Sequence, residues 1–295
     1  MELAVHIRQP GQLDELDRIP EHVLDLYKDL EPEVRDWVHS IPGQAERVYA
    51  GDEFCVHRLP DAAELEAVIR KADDKGWPVT LLTPPVTDDG LEKCSRLFRF
   101  LEREGPEAEV VVNDWGLLCL LKYNHPSLAV AAGRLLNKGF KDPRLVDPEG
   151  AAAISEDAYE LLNGCTFDFS EFEQKMRHLE VGRVERDLLP YGAIDTKSPA
   201  GVGTSVYFPF GYVTTGRVCW IASFKAPAGR KFTPMAACHG PCNGLLLEMN
   251  GAPSSFRLFE CGNTVFYLYP PSVLGSFAAD PTYTEVRLVC QGLAM

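Results

Sequence analysis

Between residues 2 and 137 this chain alternates short apolar runs with amphipathic ones, and the apolar runs tend to end on Gly, Asn or Asp. ELAVHIR (2–8), ERVYAGD (46–52), WPVTLLTPP (77–85), AEVVVNDWG (108–116) and LAVAAGRLLN (128–137, with its exit loop) are apolar and rich in β-branched residues, as buried strands are. AAELEAVIRKADDKG (62–76) and DDGLEKCSRLFRFLEREG (88–105) are amphipathic at helical spacing, and each closes on a Gly stop. WGLLCLLKY begins a short helix after the fourth run. Residues 12–40 carry helical periodicity that Pro20 and Pro32 divide into short helices. Strand and helix in alternation belong to a parallel sheet with helices packed on it, closed as a barrel or doubly wound. The strand–helix count favours an α/β fold of the TIM-barrel-like type, a parallel βα barrel, complete or distorted. Function then gathers at the strand C-termini. Those positions carry Gly51, Asp52, Cys55, Pro84, Asn113, Asp114, Gly133 and Arg134.

Beyond this alternation lies a polar Pro/Gly connection over 140–160, a helix in FSEFEQKMRHLEVG (169–182), and a further strand-like run in VERDLLPYG (184–192). Residues 192–205 are rich in Gly, Pro and Ser, and GVGTS (201–205) reads as a flexible loop because no Lys and no helix follow it. The rest is β-rich and aromatic and ends in a helix–strand pair. No internal repeat and no low-complexity tract interrupts it. The organisation expected is one barrel domain over 1–295, with 192–295 as its cysteine-bearing C-terminal portion.

The net charge of -14 disfavours nonspecific binding to phosphate backbones, so nucleic acid is an unlikely partner class. No apolar stretch approaches the roughly 20 residues of a membrane span, and no signal-peptide pattern is visible. The expectation is a soluble cytoplasmic chain. There its nine cysteines, odd in number and irregularly spaced, stay thiols rather than forming a disulfide framework.

Cys94, Cys119, Cys165 and Cys290 sit among Leu, Val or Phe and read as core. Cys261, in FECGNT, reads either way. Cys55, in YAGDEFCVHR, Cys219, in TTGRVCWIAS, and the pair Cys238 and Cys242, in CHGPC, stand apart. Gly240 and Pro241 bend the backbone between the last two, so that both sulfurs can face one point with backbone N–H groups nearby. Such donors suit the sulfurs of an iron–sulfur cluster, which wants four thiolates, and Cys55 and Cys219 can supply the other two. Packing remains a reading of the pair. So does zinc, in a Cys3His site of Cys219, Cys238, Cys242 and His239, although zinc more often uses C-x2-C.

In order and in kind, VYAGDEFCVHR, VTLLTPP, VVVNDWGLL, LPYG and the cysteine set resemble the collagenase-like peptidase family U-32 over residues 45–245. They are most similar to its branch that serves ubiquinone biosynthesis without oxygen. The resemblance implies a barrel fold and a 4Fe-4S cluster held by Cys55, Cys219, Cys238 and Cys242. It also implies an iron–sulfur-dependent hydroxylation that needs no molecular oxygen, carried out in a heterodimer with a second family member. The chain departs from the family in the 18 residues between Cys219 and Cys238, in Gly133-Arg134 where Gly-His is common, and in TTGRV where the peptidase branch has its acidic-Phe-His signature. That signature being absent, an oxidoreductase is favoured over a peptidase. The alternatives are a noncatalytic, cluster-bearing partner subunit, for which the aromatic FYLYPP offers a docking surface, and a zinc or other peptidase-like hydrolase.

Four further residues are expected to be catalytic or substrate-facing. His57 is a proton donor near the cluster or a loop side chain. Asn113 and Asp114 either hold substrate or, for Asp114, cap the following helix. Arg134 clamps the carboxylate of a small anionic substrate with its planar fork, or forms an ion pair within the protein. Glu185 and Arg186 fall on opposite faces of a strand, so one points inward and must be paired. Tyr191-Gly192 reads as a turn. No P-loop, dinucleotide-binding, H-E-x-x-H or G-x-S-x-G motif is present.

Overall fold

The structure, a computed structural model, describes residues 1–105, 107–139, 155–188, 201–224, 226–234, 237–250, 257–279 and 286–294. Eight strands close a barrel: β1 (Glu2–Ile7), β2 (Arg47–Gly51), β3 (Val79–Thr83), β4 (Glu109–Val112), β5 (Ala129–Ala132), β6 (Arg183–Arg186), β7 (Gly203–Phe208) and β12 (Val286–Cys290). Each pairs in parallel with its neighbours, and β12 joins β7 to β1. The TIM-barrel-like expectation is met, and the closure is complete.

Pro20 and Pro32 each fall in the first turn of a helix, α1 (Ile19–Leu24) and α2 (Pro32–Gln44), where the missing N–H costs nothing. The helices α3 (Ala62–Asp73) and α4 (Asp88–Glu104) bury Leu65, Val68, Ile69 and Ala72, and Cys94, Leu97, Phe98 and Leu101. This spacing makes one stripe per helix. Each fully buried large side chain of the stripe contributes about 1.5–3 kcal/mol. Asp61 starts α3 with a capping box, its side chain accepting from Glu64 N at 2.8 Å. α5 (Trp115–Asn124) turns Leu117, Leu118 and Leu121 inward. Cys119 lies off that stripe and is exposed, so it is not the core residue its apolar neighbours suggest. The helices α6 (Glu156–Asn163) and α7 (Ser170–His178) lie between β5 and β6.

The strands bury both faces. Outward residues such as Val5, Val48, Leu81 and Val110 join the helices in the large core. Inward residues Ala4, Tyr49, Leu82, Val111, Ala131, Tyr207 and Val289 form a separate layer inside the barrel. Beneath that layer, at the strand N-termini, Glu2 pairs with Arg47 and Arg287, and Arg287 also reaches Glu109. Residues GVGTS are not a loop: Gly203, Thr204 and Ser205 open β7, whose inward positions need small side chains opposite Arg183 and Tyr49.

From β7 the chain does not enter a helix. It passes through a cis Phe208–Pro209 bond into β8 (Phe210–Thr215) and returns to the barrel only at β12. The excursion builds a four-stranded antiparallel sheet in the order β8-β11-β10-β9, from β11 (Thr264–Leu268), β10 (Leu258–Cys261) and β9 (Leu247–Glu248), with the short helix α8 (Trp220–Phe224) inserted. The last helix, α9 (Pro271–Ala279), leads back towards β12. This sheet roofs the C-terminal mouth of the barrel: Tyr212 reaches Arg134 O and Asp187, and Asn263 reaches Phe54 O, all beyond strand C-termini. The run FYLYPP is part of the packing rather than a docking surface, because Phe266, Tyr267 and Tyr269 are buried under this roof. Residues 140–154 of the polar connection, the run LPYG and the turn at Tyr191-Gly192 lie outside the described residues. No helix among the described residues is long and apolar enough to cross a membrane.

Candidate functional site

Gly51 ends β2 with φ of +106°, and a Cβ there would stand 2.6 Å from Leu82 O, so only glycine lets the chain leave the strand this way. The departing loop carries Asp52, Glu53 and Cys55. Asp52 is 2% exposed and organises the loop. Its Oδ1 accepts from the backbone N–H groups of Phe54 at 2.8 Å and Cys55 at 2.9 Å. Its Oδ2 meets Arg8 and Arg58, each at 3.2 Å. Burial alone would raise the Asp52 pKa, but the two guanidiniums bring it down to about 2.

Cys55, Cys219, Cys238 and Cys242 all line one cavity of about 710 Å³ at this mouth. Cys55 comes from the β2 loop and the other three from the excursion between β7 and β12. Gly240 has φ of +65°, which makes the turn between Cys238 and Cys242. Ala222 N donates to Cys219 Sγ and Gly240 N to Cys238 Sγ, each at 3.4 Å. The Cys219 and Cys242 thiols interact, which lowers the Cys242 pKa and raises that of Cys219. Arg58 Nη2 donates to Cys242 Sγ at 2.8 Å, a second influence lowering the Cys242 pKa. Burial, followed by the Asp52 charge, pushes the Cys55 thiol up to about 11. Cys261 is buried behind this cavity and accepts from Arg8 Nη1 at 3.4 Å.

Among the described residues, no group of three or more His, Cys, Asp or Glu side chains is arranged to hold a single metal ion. A cubane cluster makes a different demand, since each thiolate binds its own iron. Four thiols line the same cavity, with backbone N–H groups on two of the sulfurs and a guanidinium on a third, donors of the kind that suit thiolate ligands.

The other expected site residues are placed differently. His57 lines the cysteine cavity and is exposed, and His239 lines it too. Arg134 lies one layer deeper, 1% exposed, with its fork already occupied. Its Nε donates to both Glu53 oxygens at 3.1 Å and its Nη1 to Asp187 Oδ1 at 2.7 Å. Asn113 is buried, donating to Thr83 O at 3.1 Å and accepting from Leu135 N at 2.9 Å, so its amide ties two strand ends together. Asp114 caps α5, its Oδ1 accepting from Gly116 N at 2.7 Å and Leu117 N at 3.2 Å. Neither Asn113, Asp114 nor Arg134 lines the cysteine cavity.

Glu185 is the inward member of its pair, 0% exposed. Tyr49 OH donates to its Oε1 at 3.1 Å, and its Oε2 has no hydrogen-bond partner among the described residues. Burial, reinforced by the Glu109 charge, pushes its pKa up to about 7. Arg186 points outward to Asp168 at 2.6 Å.

Sequence reasoning passed over Arg8, Arg58, Glu53 and Asp187. The available signal was a basic residue three places after Cys55 and two acids directly after a strand-ending Gly. Their partners lie in distant segments.

Fold and site together define a parallel βα barrel whose C-terminal mouth is roofed by an inserted sheet over a cysteine-lined cavity. No family model matches the chain, and no curated protein matches it. Among solved structures, the U32 peptidase Mk0906 is similar with a TM-score of 0.45 at 12% identity, over 98% of this chain and 92% of that one. A family GH18 chitinase from Cycas revoluta, complexed with allosamidin, is similar with a TM-score of 0.27 at 9% identity, over 99% of this chain and 95% of that one. The barrel itself rests on the strand pairing of this chain.

Proposed function

We propose that Cys55, Cys219, Cys238 and Cys242 hold a 4Fe-4S cluster, and that the protein catalyses or assists an oxygen-independent hydroxylation of the kind known in the U-32 family. The carrying observation is that four thiols from two distant parts of the chain line one cavity at a barrel mouth. When bound, the cluster would supply one-electron chemistry. The chain's own residues hold the thiols, aim N–H groups at the sulfurs and shape the cavity.

The substrate class that fits is a small anion. Arg8, Arg58, Lys93 and Arg217 line the cavity with Glu64 and Asp89, and with Asp52 paired to Arg8 and Arg58 behind them the cations still outnumber the carboxylates, in a chain of net charge -14. Arg134 supports the wall in this reading, because Glu53 and Asp187 occupy its fork. His57, on the cavity wall, is the candidate proton donor.

A second reading, a cluster-bearing partner of another U-32-type protein, draws support from exposed aromatics beside Cys219. Trp220, Phe224 and Phe232 are 53%, 68% and 56% exposed, and Trp220 and Phe232 meet edge to face with centroids 5.2 Å apart. A zinc site completed by His239 has less support, since no such group converges on a single ion among the described residues.

Anaerobic purification followed by a visible spectrum and assays for iron, sulfide and zinc tests the reading. About four irons and matching sulfide per chain are expected, lost in Cys238→Ala and Cys242→Ala. Colourless protein with one zinc, or iron retained in both variants, overturns it.

A further inference from the structure

We infer that Arg58 is a positioning residue that sets the reduction potential of the thiolate-bound centre, through its hydrogen bond to the Cys242 sulfur. The inference rests on the cluster reading above. Arg58 sits on the same short 3-10 turn, Val56–Arg58, that follows Cys55. From there it reaches across to the other cysteine-bearing segment, 184 residues away in sequence. Its Nη2 lies 2.8 Å from Cys242 Sγ and 3.4 Å from Cys242 O. Its Nη1 is anchored by Asp52 Oδ2 at 3.2 Å. The side chain is 8% exposed, so water screens it little.

Asp52 thus does two things with one carboxylate. One oxygen fixes the backbone of Cys55, and the other fixes the guanidinium that bonds Cys242. Arg8 braces the same oxygen and turns its other nitrogen towards Cys261, which is not among the four proposed ligands. The result is one buried cation bonded directly to a ligand sulfur and a second one close by without such a bond.

A charge-assisted N–H bond to a ligating sulfur stabilises added negative charge. Adding an electron to the cluster adds that charge, so the bond favours the reduced state and raises the potential. A purely structural Arg58, serving only to tie Asp52 to the cysteine loop, would act on the potential of a loaded cluster through its charge alone and so would shift it no more than Arg8 does. The fork geometry matters as well, because a lysine cannot span Asp52 and Cys242 together.

The test is a redox titration followed by electron paramagnetic resonance on anaerobically purified full-length protein, with iron and sulfide counted in every sample. Arg58→Gln is expected to keep its cluster and to lower the ratio of reduced to oxidised centre at a fixed potential about tenfold, a shift of about 59 mV for one electron. Arg58→Lys is expected to fall between that variant and wild type. Arg8→Gln, which removes a neighbouring charge but no bond to a proposed ligand, is expected to shift less than Arg58→Gln. Pulsed measurements in heavy water should show exchangeable protons coupled to the cluster in wild type and fewer of them in Arg58→Gln, the N–H groups of Ala222 and Gly240 remaining in both. If Arg58→Gln does not load, Arg58→Lys decides the matter by the same two readouts. Loaded Arg58 variants whose potential shifts no more than that of Arg8→Gln, with the same coupled protons as wild type, overturn the inference and leave the cluster reading standing. Wild-type protein without iron and sulfide overturns both.

Discussion

The guanidinium of Arg134 lies against the ring of Tyr207, its central carbon 3.6 Å from the ring centroid. Its nitrogens are shared between Glu53 and Asp187, both almost wholly buried. This plug closes the top of the barrel directly beneath the cysteine cavity. A buried cation of this kind is tolerable only because two carboxylates and an aromatic face replace its water. Replacing Arg134 by Met strands both carboxylates. The expected loss is about 3–5 kcal/mol, read as a fall in the urea midpoint with an unchanged slope.

Glu185 makes stability depend on pH. Its pKa in the folded chain is about 7, above the ordinary 4.5, because burial and the Glu109 charge disfavour ionisation. Between those values the folded chain therefore binds one proton more than the unfolded chain. Stability falls as pH rises through that window, and the penalty is complete above it. Glu185→Gln removes the titration. Above pH 7 the variant is expected to be more stable than wild type by on the order of 3 kcal/mol, the size of the shift from 4.5 to about 7. Near pH 4 the two should unfold together (about the ordinary carboxyl range). Parallel curves at both ends of the range would exclude this role for Glu185.

Asp114 offers a clean separation of cap from substrate ligand. As the N-cap of α5 it accepts two backbone N–H bonds. Asp114→Asn keeps a capping side chain and should leave stability nearly unchanged, whereas Asp114→Ala should cost about 1 kcal/mol. Ligand binding or turnover that fails in Asp114→Asn despite full stability would show that the carboxylate does more than cap.

Gly51→Ala tests how far the cysteine site depends on one backbone angle. The new Cβ would meet Leu82 O at 2.6 Å, and φ of +106° is unfavourable for any side chain. A loss of more than about 1 kcal/mol is expected from the backbone alone. The Cys55 loop should shift with it, so iron content in anaerobic preparations should fall further than in a variant of equal stability elsewhere, such as Asp61→Ala.

The barrel strands up to β5 were legible because each is a short apolar run flanked by a helix at 3.6 spacing, a purely local signal. The second half of β7, VYF, opens the run that read as β-rich, but its first half was hidden, since GVGTS lacks bulky apolar residues. Its small side chains are demanded by Arg183 and Tyr49 from neighbouring barrel walls, which no local pattern records. FYLYPP was misread for the converse reason: an aromatic run shows its hydrophobicity, but only the sheet over the barrel mouth decides that Tyr267 and Tyr269 face inward. Cys119 shows the same limit on a smaller scale. Its apolar neighbours suggested burial, and the phase of α5 turned it outward.

The sequence by itself determined the alternating βα order, the helix starts at Pro20, Pro32 and Asp61, and the distinct contexts of Cys55, Cys219, Cys238 and Cys242, while Cys261 read either way. Each follows from neighbours within a few residues, where backbone sterics, capping and periodicity act. The tertiary structure alone decided that Arg134 would spend its fork on Glu53 and Asp187, that Asp52 would hold both Cys55 and Arg58, and that Arg58 would meet Cys242. Those pairings join segments separated by 53 to 184 residues, apart from the short Asp52 loop. They arise because barrel closure brings the strand C-termini to one rim, where buried charges must find each other once water is gone.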